Sequence, residues 1–112
     1  MLNKTNRLKK KKDFETVFKK GKSFKNSFLI IRIASNKLQF SRFGLVVSQK
    51  VSKKAVVRNK VRRRMSEIIR KRIKEIKVGL DVVLIALSGL EKKSFLETEE
   101  AITSLFKKIK II

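Results

Sequence analysis

The longest amphipathic pattern in the chain runs from Lys53 to Lys77, KKAVVRNKVRRRMSEIIRKRIKEIK. At roughly 100° per residue, its apolar positions fall on one broad arc of a helix. These positions are Val57, Val61, Met65, Ile68, Ile69, Ile73 and Ile76. The opposite side is cationic and carries Lys60, Arg63, Arg64, Arg70, Lys71, Lys74 and Lys77. Arg58 and Arg62 lie beside the arc, where their charged ends need a fixed partner or a route to water. Ser52 is the expected N-cap, and the pattern predicts one face for a core and one for a polyanion.

Two further helices are predicted near the ends of the chain. The first is indicated by the i, i+3, i+4 spacing of apolar side chains, at Phe14, Val17 and Phe18. Gly21 is its expected C′ residue. The second begins at a capping box formed by Ser94 and Glu97. Its apolar stripe follows the i, i+3, i+4, i+7 spacing, at Ile102, Leu105, Phe106 and Ile109.

The remaining apolar stretches favour β-strands. Ser27 to Ala34 is rich in β-branched and aliphatic residues. Leu38 to Phe40 begins a second strand and Phe43 to Ser48 forms a third, although one bent strand would also fit. Asp81 to Leu87 is nearly all apolar, which predicts a strand buried on both faces at the sheet centre. The order α-β-β-β-α-β-α predicts an α+β fold, a single-domain two-layer α/β sandwich spanning residues 1–112.

Charge makes nucleic acid the leading candidate partner. The 112 residues include 31 Lys and Arg against 9 Asp and Glu, a formal net charge of +22. A charge of this size needs a large polyanion to neutralise it. A membrane surface is the alternative, but no run approaches the roughly 18 apolar residues of a spanning helix. Residues 1–12 form a basic arm without the apolar segment of a signal peptide. From charge alone, that arm could be a frayed, solvated terminus.

The residue types that most often carry protein-based catalysis are missing. The chain has no His, Cys, Trp, Tyr or Pro, so it offers no imidazole base, no thiolate nucleophile and no imidazole metal ligand. Its four glycines form no phosphate-binding loop. We therefore expect no catalytic residue and no metal site in the protein. The lack of cysteine fits a cytoplasmic chain.

The residues Lys54 to Arg63, KAVVRNKVRR, resemble the signature of the bacterial ribonuclease P protein subunit, an Arg-Asn-Arg core followed by a basic helix. Other motifs follow in an order similar to that family. These are Asn6-Arg7-Leu8 near the start, the aromatic helix before Gly21, and Gly79-Leu80-Asp81 before the last strand. The resemblance covers almost the whole chain.

Three positions depart from the family pattern. Lys60 keeps the charge of the second Arg but not its planar, bidentate fork. Ile31 is placed where the family often has an aromatic side chain, and Leu87 where it usually has Arg. At Ile31 the departure removes one surface on which a base of the leader could stack.

The resemblance implies the protein subunit of ribonuclease P, the ribonucleoprotein endonuclease that removes the 5′ leader from precursor tRNA. It implies that the RNA subunit carries the chemistry, with Mg²⁺ held by that RNA and the substrate. The implied partners are ribonuclease P RNA and precursor tRNA, with the protein monomeric in a 1:1 ribonucleoprotein and no membrane involved. The implied fold has a left-handed β-α-β crossover through the basic helix, against the usual right-handed rule.

The resemblance also assigns two surfaces for RNA. The one for the RNA subunit consists of Lys53, Lys54, Arg58, Asn59, Lys60, Arg62, Arg63 and Arg64. The other is a cleft for the leader between the first helix and the sheet, lined by Phe14, Phe18, Ile31, Ser48 and Lys50. From spacing alone, Phe14 and Phe18 are more often core residues than stacking platforms for bases.

Two other classes of protein share parts of the pattern. A ribosomal or other structural RNA-binding protein would carry the same charge without a role in cleavage, and would co-purify with ribosomal subunits. A cationic protein of membrane surfaces would bind anionic vesicles even after nuclease treatment. The ordered set of motifs favours the ribonuclease P family over both.

Overall fold

The computed structural model describes residues 2–112, which form one four-stranded sheet with helices packed on it. The main elements are α1 (Lys11–Lys20), β1 (Lys22–Lys25), β2 (Leu29–Ser35), β3 (Arg42–Val46), α2 (Ala55–Arg72), β4 (Leu80–Ala86) and α3 (Phe95–Lys108). Short 3-10 turns lie at Lys4–Asn6, Ile73–Glu75 and Leu90–Lys92. The predicted order and the α+β class are confirmed.

The sheet has the strand order β1-β2-β4-β3. β3 and β4 are parallel, while the other two pairs are antiparallel. β4 therefore lies between β2 and β3, and five of its seven residues are buried. The prediction of a central strand from Asp81 to Leu87 is confirmed, because a run that is apolar on both faces needs cover on both faces. The chain crosses from β3 to β4 through α2, and the left-handed sense of that crossover stays a prediction.

The pleat of the strands divides their side chains between two cores. On one face, Ile31 and Leu84 pack with the apolar sides of α2 and α3. On the other face, Val83 packs with Leu8 and with Val17 of α1. The sandwich of the sheet with α2 and α3 is as expected, and α1 adds a smaller layer on the opposite face.

One predicted strand is wrong, and one observed strand was not predicted. Leu38 to Phe40 forms bends rather than a strand. The first strand is instead β1, Lys22–Lys25, whose mostly exposed KSFK sequence pairs only with β2. A polar edge strand carries little apolar alternation, so the sequence pattern passed over it.

The predicted helix ends need correction as well. α2 begins at Ala55 with Lys54 as N-cap, and the Ser52 hydroxyl accepts only from the Lys54 N–H. α1 ends at Gly21, whose φ of −77° is not left-handed. Gly21 is needed there for close approach, because a Cβ would collide with the Val17 carbonyl oxygen and lie 2.9 Å from that of Ile33. The capping box of Ser94 and Glu97 is confirmed.

The basic N-terminus is folded onto the domain rather than frayed. We call residues 2–9 the N-terminal strap. Leu2 is buried, and its N–H donates to the Ser66 hydroxyl of α2 at 3.3 Å. The Leu8 N–H donates to the Phe43 carbonyl at 2.9 Å, which binds the strap to the edge of β3.

Between residues 2 and 112, no helix is long and apolar enough to cross a membrane.

Candidate nucleic-acid interface

The first half of α2 and the residues before it concentrate positive charge. Residues 53–64, the cationic segment, contain Lys53, Lys54, Arg58, Lys60, Arg62, Arg63 and Arg64 and no acidic residue. Within residues 2–112, every salt bridge made by α2 involves its second half instead. Like charges at this spacing repel one another, so the segment is destabilised unless an external anion neutralises it.

The N-terminus of α2 increases this demand for an anion. No side chain caps the helix and no acidic residue lies in its first turn. Four N–H groups at a helix start lack partners inside the helix, and the helix dipole makes that end partly positive. The exposed Lys53 and Lys54 stand beside those N–H groups. The arrangement is therefore complementary to phosphate oxygens.

The arginines of the segment differ in how they are held. Arg58 donates through Nη1 to the carbonyls of Ser52 and Lys53, both at 3.0 Å, so it fixes the loop that leads into α2. Arg64 donates to the Lys93 carbonyl at 2.8 Å and so points toward the start of α3. The half-buried Arg58 has the fixed partner that its position beside the apolar arc required.

Four polar side chains of the cationic segment, those of Asn59, Lys60, Arg62 and Arg63, lie on one side of the helix. The Arg62 guanidinium donates to the Asn59 side-chain oxygen at 2.7 Å, which leaves the Asn59 amide nitrogen available. Lys60 and Arg63 are exposed, and neither makes a hydrogen bond or salt bridge to any other described side chain. These four side chains are therefore ready to contact an external ligand.

Asn59, Arg62 and Arg63 line a groove of about 410 Å³, the α2–strap groove, between α2, β3 and the N-terminal strap. Its other lining residues are Leu2, Arg7, Leu8, Lys9, Phe14, Phe43, Leu45 and Ser66. Phe14 can lie against β3 because residue 44 is glycine. A Cβ at Gly44 would come within 2.5 Å of the Phe14 ring. The structure thus brings Phe14 together with residues predicted for the RNA subunit.

The other residues predicted for a leader cleft are more widely spread. Phe18 lies near the end of α1 and is 43% exposed. Ser48 and Lys50 are exposed in the loop after β3, and Ser48 is four residues beyond Gly44, or roughly 13 Å along an extended strand. Phe14 and Phe18 share a face of α1. The loop that contains Ser48 and Lys50 instead follows the C-terminal end of β3.

The prediction that Ile31 lines this cleft is wrong. Ile31 is fully buried in the core beneath α2 and α3. Adjacent strand residues point to opposite faces, so the side chain on the α1 face is Arg32. The Arg32 guanidinium carbon lies 5.7 Å from the centre of the Phe18 ring, and its Nη2 donates to the carbonyls of Phe18 and Gly21.

Most carboxylates near the sheet and the second half of α2 are already engaged. Arg42 makes a two-pronged pair with Asp81, at 2.7 and 2.9 Å, and a further contact with Asp13 at 3.2 Å. The hydrogen bonds that the Arg42 guanidinium donates to the Asp81 carboxylate raise the pKa of Arg42. In α2, the Arg70 guanidinium lowers the pKa of the Glu67 carboxyl by hydrogen bonding. These pairs neutralise cations of the scaffold and leave the cationic segment unneutralised.

Sequence reasoning missed the contribution of the strap to this surface. Arg7 and Leu8 belong to the Asn6-Arg7-Leu8 motif and Lys9 follows it. The motif was recognised in the sequence, but the sequence did not show where it lies in the fold. The sequence-based prediction named Ile31 rather than its neighbour Arg32. Side chains alternate between the two faces of a strand, and applying this rule along β2 would have put Arg32 on the α1 face. The fold and surface define a class of protein: a small α+β domain with one helix end and one groove complementary to a polyanionic chain.

Comparison with known proteins narrows this class. The family model described as Ribonuclease P matches residues 2–110. The ribonuclease P protein component of Clostridioides difficile strain 630 is 44% identical over 110 residues, which are 97% of this chain and 96% of that protein. The same component of Alkaliphilus metalliredigens is 41% identical, covering 96% of both chains.

Solved structures agree with the sequence relatives. The RNase P protein of Staphylococcus aureus superimposes with a TM-score of 0.88 at 29% identity, covering 95% of this chain and 96% of that one. The RNase P protein of Thermotoga maritima gives a TM-score of 0.83 at 34% identity, over 91% and 96% of the two chains. The chain belongs to the ribonuclease P protein family, whose role is the 5′ processing of tRNA in partnership with ribonuclease P RNA.

Proposed function

We propose that this protein supports leader removal from precursor tRNA by binding RNA on two surfaces, while the RNA subunit carries the chemistry. The observation that supports this most directly is the cationic segment, seven cations without a carboxylate at the uncapped start of an 18-residue helix. Phosphate groups of the RNA subunit would neutralise it. Screening of phosphate repulsion would let the folded RNA hold Mg²⁺ at a lower concentration.

The donor set of the protein does not fit a resident Mg²⁺. Mg²⁺ prefers carboxylate and other oxygen ligands at near-octahedral geometry. No three His, Cys, Asp or Glu side chains come together among residues 2–112. The carboxylates nearest the sheet, Asp13 and Asp81, are engaged with Arg42. We therefore propose that Mg²⁺ belongs to the RNA subunit and the substrate.

The α1 face of the sheet supports a second proposal, a contact with the 5′ leader. The exposed ring of Phe18 can stack on an unpaired base without reading its sequence. The guanidinium of Arg32 supplies a cation beside that ring. Ser48 and Lys50 would extend this surface along the loop after β3.

Reconstitution with a bacterial ribonuclease P RNA tests the main proposal. We expect cleavage of precursor tRNA at a Mg²⁺ concentration at which the RNA alone is inactive, and no cleavage by the protein alone. A 1:1 ribonucleoprotein would be seen by light scattering at the same time. Failure to lower the Mg²⁺ requirement at saturating protein would refute the role in leader removal.

A structural RNA-binding protein remains the second candidate because the cationic segment alone would suit it. Co-purification separates the two candidates. We expect the tagged protein to recover a single discrete RNA of a few hundred nucleotides rather than ribosomal subunits. Recovery with ribosomal subunits alone would favour the structural role.

A further inference from the structure

We propose that the outer edge of β1 is a docking site for an extended, acidic segment of a partner protein, which joins the sheet as an additional strand. The strand order β1-β2-β4-β3 puts this edge opposite the one covered by the N-terminal strap. The inference concerns a protein partner and therefore goes beyond the proposed binding of RNA. Two observations carry it, the unpaired main-chain groups of β1 and the charge around them.

The register of the hairpin shows which main-chain groups of β1 point outward. In an antiparallel pair, residues that exchange both hydrogen bonds alternate with residues that exchange none. The Asn26 N–H donates to the Leu29 carbonyl at 3.0 Å, so these two residues form a bonded pair. Counting back along the register, Ser23 and Lys25 fall in the non-bonded pairs, and their N–H and C=O groups point away from β2. No turn or loop within residues 2–112 pairs with these groups.

The two edges of the sheet differ in how they are finished. The edge of β3 receives the strap, since the Leu8 N–H donates to the Phe43 carbonyl. The edge of β1 is open, and an open edge is a template for another extended chain. A peptide that joins such an edge gains main-chain hydrogen bonds, while its alternate side chains determine specificity. The half-buried Phe24 offers an apolar neighbour for one of those side chains.

The charge around the open edge selects an acidic partner. Residues 16–66 contain no Asp or Glu. Lysines on an edge strand discourage pairing with a neutral or basic strand, whereas facing charges of opposite sign stabilise a strand pair. Four exposed lysines flank the edge without a salt bridge to any residue among 2–112, namely Lys19, Lys20, Lys22 and Lys25.

The same lysines exclude a second copy of this chain as the occupant. In a centred antiparallel pair of two β1 strands, Lys22 would face Lys25 of the other copy, and facing like charges are destabilising. RNA would neutralise the lysines but has no series of N–H and C=O groups at the spacing of a strand. The edge therefore fits a segment with acidic residues facing Lys22 and Lys25 and an apolar residue beside Phe24.

Hydrogen exchange gives the direct test. The full-length protein is titrated with a peptide of Glu-Val-Val-Glu repeats, which reads the same in both chain directions and so fits either strand orientation. We expect the N–H groups of Ser23 and Lys25 to exchange about tenfold more slowly or less when the peptide binds, while that of Phe24, already bonded to β2, changes little. Oligoglutamate of equal charge should protect neither. Binding of the peptide without protection of Ser23 and Lys25 would overturn the proposal.

Ser23→Pro removes an outward N–H that makes no bond to β2, and proline is tolerated on an edge strand where its N–H would face solvent. Peptide affinity should fall by about tenfold, with RNA affinity and melting temperature unchanged. Ser23→Ala is the matched control, because it loses the hydroxyl but keeps the N–H, and it should bind as the wild type does. Undiminished binding by folded Ser23→Pro protein would contradict strand addition.

A change in the peptide tests the same bonds if Ser23→Pro does not fold. Proline in place of one valine in each repeat should weaken binding to the wild-type protein by about tenfold or more. Its charge is the same as that of the original peptide, so equal affinity of the two peptides would show that charge alone is recognised and would overturn the proposal.

Two further measurements locate the site on the protein. Lys22→Gln, Lys25→Gln should lower peptide affinity by about fivefold, whereas Lys107→Gln, Lys108→Gln, at the end of α3, should not. Equal losses in the two double variants would place the peptide elsewhere. A short unstructured RNA that saturates the cationic segment should leave the peptide bound at physiological salt. Full displacement of the peptide by that RNA would mean that the β1 edge belongs to the RNA-binding surface.

Discussion

The helices α2 and α3 pack on the same face of the sheet, yet they begin in opposite ways. At the start of α3, the Ser94 hydroxyl accepts from the Glu97 N–H at 3.1 Å and the Glu97 carboxylate accepts from the Ser94 N–H at 3.0 Å. Its last turn carries Lys107 and Lys108. α2 has no cap, no acidic residue in its first turn, and lysines before it.

This difference separates a stabilising helix from a binding helix. Carboxylates near the N-terminus and cations near the C-terminus both favour a helix through its dipole, and α3 has both. The start of α2 has the reverse charge, which costs stability in the free protein. An anion bound there would replace the missing cap and the missing carboxylate together. The comparison predicts that changes at the start of α2 alter RNA binding, while equivalent changes in α3 alter stability.

The largest expected effect comes from removing the free cations of α2. The double variant Lys60→Gln, Arg63→Gln should reduce the slope of log K against log salt for the partner RNA by about 1.5, at roughly 0.7 to 0.9 for each phosphate contact. Affinity at moderate salt should fall by about one order of magnitude or more. Fluorescence titration across a salt series measures both quantities.

A matched control for this loss of charge lies in α3. Lys107→Gln, Lys108→Gln removes two exposed cations as well, but from a helix end where the dipole favours them. We expect an unchanged salt slope and a lower melting temperature. Equal slopes for the two double variants would mean that net charge alone, rather than the cationic segment, governs RNA binding.

Arg58 should show both kinds of effect. Arg58→Ala removes the two hydrogen bonds to the carbonyls of Ser52 and Lys53, at a cost of about 1–2 kcal/mol in the free energy of unfolding. It should also raise the Mg²⁺ concentration needed by the reconstituted enzyme. Denaturant unfolding and cleavage assays measure the two effects. Arg58→Lys retains the charge, so a Mg²⁺ requirement equal to that of Arg58→Ala would show that geometry matters more than charge.

Adding an N-cap to α2 and removing the N-cap of α3 should change the free energy of unfolding in opposite directions. Lys54→Ser provides α2 with an N-cap and should raise the free energy of unfolding by about 1 kcal/mol, while Ser94→Ala should lower it by about the same amount. Only Lys54→Ser should weaken RNA binding. If it fails to stabilise the free protein, then the start of α2 is already satisfied in solution and needs no anion.

The sequence predicted the core elements because burial leaves a periodic signal. The arc from Val61 to Ile69, the central strand β4 and the capping box of α3 each follow from local spacing. β1 and the start of α2 did not, since polar edge strands and uncapped helices lack such a signal. The ordered fold of the strap depends on contacts from Leu2 to Ser66 and from Leu8 to Phe43, which no local pattern contains.

The candidate site was predicted in its residue types rather than its arrangement. The cationic segment follows from composition and from the family resemblance. The groove does not, because it needs Phe14, Arg63 and the strap to meet across the edge of β3. The error at Ile31 has a simple cause: a one-residue shift along a strand moves a side chain to the other face of the sheet.

The smallest expected effect concerns the charge of the α3 cap. Hydrogen bonding from the Ser94 backbone lowers the pKa of the Glu97 carboxyl in the folded protein. A carboxyl with a lowered folded pKa stabilises the fold above its unfolded pKa. That contribution is lost as the pH falls through the folded value. α2 has no carboxyl group at the equivalent position of its first turn, because that position is occupied by Val57.

Glu97→Gln isolates that charge, because Gln can still complete a capping box. We expect the variant to be slightly less stable than the wild type at neutral pH, since the carboxylate is exposed to water. The difference should shrink as the pH is lowered below the usual range for a glutamate. Denaturant unfolding at a series of pH values measures it, with RNA affinity as a second readout that should not change. A stability difference that stayed constant down to acidic pH would show that the cap acts through hydrogen bonds alone, and the charge reversal between α2 and α3 would then matter only for RNA.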